Sequence, residues 1–282
     1  VGGLSVSRRC ACGKRKRDER EPLMADIDTG TQDLLADLSD GVLTLTLNRP
    51  QARNAMSGEM NEALAAQLAW AERASEVKCV VLTGAGKGFC AGADLGDLGS
   101  TDGPGFRSIY EGFLRVGRSS LPVLAAVNGA AVGAGMNMAL CADLRVAGRS
   151  ARFDCRFMDL GLHPGGGHTW MLRDAVGKSN AAAMVLFGQI LDGDAAAAAG
   201  LVWECVDDAA LIDRSVEIAA RAASGPKLLV HEIKSSLRDM RAIDDHDEAV
   251  DRELTPQLWS TKQPWFRERL AAIQARVQSK KG

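Results

Sequence analysis

The sequence predicts an α/β chain that closes with a helical C-terminal region. In the first half, apolar runs of strand length alternate with stretches whose apolar residues recur at helical spacing. In the last third only the helical pattern persists. The composition sets the broader class. With 282 residues, 46% hydrophobic and 25% charged, the chain can bury a core without disulfide staples. Wholesale disorder and a disulfide miniprotein are excluded. No apolar run approaches the roughly 18–20 residues of a membrane span.

The elements follow in order. Strand-like runs at 34–39 and 42–48 flank Asp40-Gly41, a strong hairpin signal. Ser57 is placed to cap a helix reaching residue 74, with Met60, Leu64, Leu68 and Ala71 on one face. Residues 78–83 (KCVVLT) read as a buried strand, 84–105 as a glycine-rich loop and 106–116 as a helix. Another buried strand is expected at 122–127, a loop of small residues at 129–135, a helix at 136–142 and a strand at 143–147. A short extended piece at 151–153 precedes a loop at 161–167. From His168 the pattern is helical, with breaks at Gly177, Gly188, Gly193 and Gly200 and one strand at 202–206. Gly225-Pro226 separates helices at 211–223 and 227–240, and helices at 248–259 and 265–278 end the pattern. The expected organisation is a tail over 1–23, an α/β core over 24–224 and a helical region over 225–282.

Lys and Arg number 34 against 36 Asp and Glu, a net charge of −2. That balance gives no general nucleic-acid or membrane surface. Residues 1–23 differ, with seven basic and three acidic groups. They lack the apolar stretch of a secretory signal and cannot bury enough apolar surface to fold. A disordered extension, or a start placed ahead of Met24, is expected. Seven cysteines without a CxxC spacing read as reduced thiols in the cytoplasm, several of them buried.

Several motifs are decoys. VVLTGAGKG (80–88) runs a strand into a glycine turn, as a dinucleotide site would, but position 90 is Cys90. The single tyrosine, Tyr110, has Leu114 four residues on, where a Tyr-x-x-x-Lys pair needs lysine. Gly177-Lys178-Ser179 lacks the upstream glycine of a phosphate loop, that position being Leu172. No Gly-x-Ser-x-Gly elbow is present. His163 and His168 in HPGGGH have no Glu or Cys at ligand spacing and read as structural, so no metal is expected.

Four segments do belong together: LNRPQARNAM (47–56), GKGFCAGADL (86–95), AAVNGAAVGAGMNMALCADLRVA (125–147) and FDCRFMDLGLHPGGG (153–167). In this order they closely resemble the crotonase superfamily, the enoyl-CoA hydratase/isomerase fold, over roughly residues 34–259. The resemblance implies a crotonase-like spiral of strand–strand–helix repeats with a helical C-terminal trimerisation region. It also implies an acyl-CoA thioester substrate, whose carbonyl gains negative charge during reaction. Two preorganised backbone N–H groups stabilise that charge, and small residues let the substrate approach them. By the resemblance Ala93 and Ala134 donate those N–H groups. Arg53, Ala55, Ala91, Gly92, Asp94 and Leu95 then line the coenzyme A and substrate path, with Asp94 turning the loop.

The resemblance breaks at the paired glutamates with which hydratases of this family handle water. Asn137 and Phe157 stand at those positions, and neither is a base at neutral pH. Asp154, Asp159 and His163 are the substitutes within reach; a helical turn after Asp154 would put it beside Phe157. The three stay open. The expected function is an acyl-CoA-binding enzyme that stabilises a thioester oxyanion or enolate, nominally an enoyl-CoA hydratase of fatty-acid or related metabolism. The alternatives are an isomerase, hydrolase or decarboxylase on the same scaffold, or a non-catalytic acyl-CoA-binding protein. No separate cofactor is expected, because coenzyme A belongs to the substrate. The expected assembly is a homotrimer or a dimer of trimers, supported by apolar Leu258, Trp259, Trp265 and Phe266 near the C-terminus.

Overall fold

The structure, a computed structural model, describes residues 25–94 and 103–279. Strand β1 (Ala25–Ile27) pairs antiparallel with β2 (Leu34–Ser39). Asp40 and Gly41 take φ of 49° and 82°, the left-handed pair a tight hairpin requires, and β3 (Val42–Leu47) folds back on β2. Ser57 Oγ accepts the Met60 N–H at 3.2 Å and starts α1 (Gly58–Arg73), whose Met60, Leu64, Leu68 and Ala71 are buried. Strand β4 (Cys79–Gly84) is buried at every position. Val80 and Leu82 face the main core, while Cys79 and Val81 face Leu211, Ala219 and Ala223 behind the sheet. Covering on both faces explains its unbroken apolar run.

Past β4 the chain departs from the expected loops. Gly88–Cys90 forms β5 and Ala130–Val132 forms β7. At three residues each, such strands are too short to show the alternation that marks a strand in sequence. Between and after them come α2 (Gly103–Arg118), β6 (Val123–Val127), α3 (Ala134–Cys141), β8 (Leu144–Gly148) and β9 (Arg152–Asp154).

The next helix, α4 (His168–Phe187), is kinked at Gly177, where φ is 75°. β10 (Leu191–Asp192) is a further short strand. Gly193 does not break a helix; it begins α5 (Gly193–Ala198), because the Asp192 side chain accepts the Ala195 N–H at 2.9 Å. After β11 (Glu204–Val206) come α6 (Leu211–Ala223), α7 (Lys227–Asp239), α8 (His246–Thr261) and α9 (Pro264–Ser279).

The large sheet runs β1-β2-β3-β4-β6-β8-β11 and the small one β10-β9-β7-β5. From β3 onward the large sheet is parallel, as are β5, β7 and β9 in the small one. Three consecutive turns therefore each give one strand to the large sheet, one to the small sheet, and then a helix. This is the strand–strand–helix spiral expected. The small-sheet strands β5, β7 and β9 each lead into a connecting segment, and their parallel pairing gathers those segments along one edge.

Lys234 on α7 is buried, and its Nζ donates to Leu121 O at 2.7 Å and meets Asp143 Oδ2 at 2.6 Å. It ties the C-terminal region to the chain on either side of β6 and β7. Helices α8 and α9 contain no buried residue. Leu258 and Phe266 are exposed there, while Trp259 and Trp265 partly cover each other edge to face at 5.9 Å. Among the described residues, no helix is long and apolar enough to cross a membrane.

Candidate functional site

The gathered loops surround a cavity of about 660 Å³. The segment before α1 forms one wall and is held by Asn54, which is fully buried. Asn54 Oδ1 accepts the Arg49 N–H at 2.9 Å, and Nδ2 donates to Ala85 O at 2.9 Å and Gly88 O at 2.8 Å. Its φ is 57°, a left-handed backbone that asparagine tolerates. Sequence reasoning quoted this asparagine without a role; its place in a loop of small residues was the available signal. Arg49 adds a bond to Ala55 O at 2.7 Å and ion pairs with Asp33 and Asp94 at 3.3 and 3.8 Å.

The Met56 N–H donates to Gly92 O at 2.8 Å, and the Asp94 N–H donates to Met56 O at 3.3 Å. This parallel bridge between Met56 and Ala93 uses the groups on either side of Ala93. The Ala93 N–H is thereby turned away from Met56. Gly92 has φ of 101°, and a Cβ there would stand 2.9 Å from Val132 O and 3.6 Å from Ala134 N. The two loops lie against each other because position 92 carries no side chain. Ala134 is the first residue of α3, so its N–H has no partner inside the helix and sits at the positive end of the helix dipole.

Ala55, Ala91, Gly92, Ala93, Asp94, Ala134, Asn137, Phe157 and His163 all line the cavity. Leu95 lies outside the described residues. Arg53 is exposed and off the cavity wall; its carbonyl accepts the Ala91 N–H at 3.0 Å. Asp154 and Asp159 are not on the wall either. The expected helical turn after Asp154 is absent, because Asp154 ends β9 and Arg156 takes a φ of 56°. Arg156 Nε then donates to Asp154 Oδ2 at 2.8 Å and lies 3.7 Å from exposed Asp159. Both aspartates are thus held by one guanidinium.

The two histidines part company. His163 is exposed at the cavity, and its Nδ1 lies 2.7 Å from Pro164 O. A carbonyl only accepts, so Nδ1 carries the hydrogen. His168 is buried beneath the wall, a position that sequence reasoning read as an ordinary loop histidine. Its Nδ1 meets Asn137 Oδ1 at 2.6 Å and its Nε2 meets Cys155 Sγ at 3.2 Å. Phe157 packs edge-on to its ring at 4.9 Å. Burial lowers the His168 pKa to about 4 and raises that of the Cys155 thiol to about 12. Among the described residues no three His, Cys, Asp or Glu side chains gather as metal ligands would.

Residues 37–264 match the family described as enoyl-CoA hydratase/isomerase. The chain belongs to that family. A probable enoyl-CoA hydratase of Mycobacterium tuberculosis is 44% identical over 252 residues, covering 86% of this chain and 98% of the relative. The 1,2-epoxyphenylacetyl-CoA isomerase of Escherichia coli is 36% identical over 251 residues, covering 86% and 95%. The crystal structure of an enoyl-CoA hydratase from Bacillus anthracis superposes with a TM-score of 0.80 at 28% identity, covering 88% and 97%. The crotonase-like fold and the hydratase-like enzyme expected from the sequence motifs both stand. This enoyl-CoA hydratase/isomerase family member nevertheless carries an amide at Asn137 and an apolar ring at Phe157.

Proposed function

We propose that this family member binds acyl-CoA thioesters and stabilises their oxyanion or enolate between the N–H groups of Ala93 and Ala134. The supporting observation is the placement of those two residues: the Ala93 amide is turned away from Met56, Ala134 starts a helix, and both residues line one cavity, their loops lying together at Gly92. Each such donor is worth roughly 10²–10³ in rate. Ala55 and Asp94 line the cavity, and the role proposed for Arg53, exposed and off its wall, is to meet a coenzyme A phosphate. Coenzyme A arrives with the substrate, so no separate cofactor is invoked.

Enoyl-CoA hydration is the nominal reaction. The amide and the phenyl ring at Asn137 and Phe157 favour the alternative, isomerisation, hydrolysis or decarboxylation through the same oxyanion. Among the three substitutes, His163 is the one on the cavity wall. With Nδ1 hydrogen-bonded, its Nε2 is free of a proton in the neutral ring and is suited to proton transfer. The assembly proposed is a homotrimer or a dimer of trimers in the cytoplasm.

The test sets crotonyl-CoA turnover beside acyl-CoA binding by calorimetry. Binding with feeble hydration is expected, and vigorous hydration would overturn the assignment of Asn137 and Phe157 as inert. Absence of binding would overturn the acyl-CoA assignment itself. Ala93→Pro removes one N–H; a folded variant with full turnover would remove Ala93 from the site.

A further inference from the structure

Three side chains from three segments, Asn137 on α3, Cys155 after β9 and His168 on α4, form a chain of contacts at the cavity. Asn137 Nδ2 donates to Gly165 O at 3.1 Å, which fixes the amide and turns Oδ1 toward His168. Oδ1 can only accept, so His168 Nδ1 carries the ring hydrogen in the bond of 2.6 Å. Nε2 is then the bare nitrogen, and it faces Cys155 Sγ at 3.2 Å. A thiol is thus hydrogen-bonded to a base, and the base is oriented by an amide, which is the arrangement that serves acyl transfer. Cys155 lines the cavity together with Ala93 and Ala134. The residue before it accepts the Gly133 N–H through its carbonyl at 3.0 Å, so the thiol-bearing segment is joined to the loop that presents the Ala134 amide.

We propose that Cys155 is a nucleophile that takes the acyl group from a bound acyl-CoA and, with His168 as base, passes it to water. The proposal rests on the acyl-CoA binding put forward above. Sγ bonds to the thioester carbon as the bond from that carbon to the coenzyme A sulfur breaks. The thiol proton moves to His168 Nε2 and then to the leaving sulfur, which departs as free coenzyme A. Water next attacks the S-acyl carbonyl, gives a proton to Nε2, and the proton returns to Sγ as the carboxylic acid leaves. Acyl-CoA and water become carboxylic acid and coenzyme A, with no oxidant or reductant. Burial keeps thiol and imidazole neutral at rest.

The experiment incubates the full chain with butyryl-CoA, which has no double bond to hydrate. Released coenzyme A is followed by chromatography and the protein by intact mass and peptide mapping. One butyryl group on Cys155 is expected. Cys155→Ala should lower coenzyme A release by ~10²-fold or more, and His168→Gln should slow both steps. Cys205→Ser, remote from the cavity, should behave as the parent. Butyryl-CoA that binds by calorimetry yet yields neither adduct nor coenzyme A would overturn the proposal and leave the acyl-CoA assignment intact. Release that survives Cys155→Ala would overturn it equally. Failure of butyryl-CoA to bind would overturn both.

Discussion

Asn54 holds three backbone groups around the site without itself lining the cavity. It answers one backbone donor and two backbone acceptors in loops far apart in sequence. Asn54→Ala leaves those groups without partners in a buried place, and each unmet group costs about 1–3 kcal/mol. A loss of about 3 kcal/mol is expected in urea denaturation. His168 supplies a pH signature. Its folded pKa of about 4 lies below the ordinary 6.5, so between these values the unfolded chain binds more protons. Stability contributed by the neutral ring is whole above about pH 6.5 and shrinks as pH falls toward 4. About 2 kcal/mol should be gone near pH 5, and the melting temperature should drop less steeply with acid in His168→Gln. Both roles were poorly legible in sequence. An asparagine in a small-residue loop and a histidine beside glycines look alike whether exposed or buried, and only tertiary contacts separate them.

At the scale of elements, strands and helices with a full-sized apolar signature were legible. β4 is built around Val80, Val81 and Leu82 and β6 is a run of Val, Leu and Ala, α1 has its serine cap, and Gly225-Pro226 marks the break before α7. What escaped was β1 and, apart from β9, the small sheet. β5, β7 and β10 owe their existence to pairing with neighbours, which local propensity does not report. That Ala93 and Ala134 line one cavity agrees with their motif, whereas the pressing together of their loops was not legible. Gly92→Ala tests that packing. A Cβ at φ of 101°, 2.9 Å from Val132 O, pushes the loops apart. Turnover on the best acyl-CoA should fall by about 10²-fold, as for a lost oxyanion donor. The melting temperature should drop by only a few degrees, since the strands on either side keep their ladder bonds.

For the whole molecule, the exposed apolar residues concentrate late in the chain. Leu254, Leu258, Leu270 and Ile273 are 47%, 51%, 42% and 58% exposed, apolar surface that the proposed partner copies would cover. Light scattering at micromolar concentration should report three chains or six; a stable monomer would show that this surface has no partner copy.

The anchoring of Lys234 has a consequence for how the chain breathes. Its ammonium holds α7 to the interior, whereas α8 is joined to α7 through the Arg252–Asp239 pair and α9 to the end of α6 through Arg269 on Ser224 O. Opening the last two helices exposes little new apolar surface, so it costs far less than global unfolding. In deuterated buffer, amides after His246 should exchange early in an isolated chain, and those of α7 and the large sheet late. Under the proposed assembly, dilution and concentration should move the boundary: in the associated form the late-exchanging region should extend into α8 and α9, and a protease that clips the dilute protein there should lose its foothold.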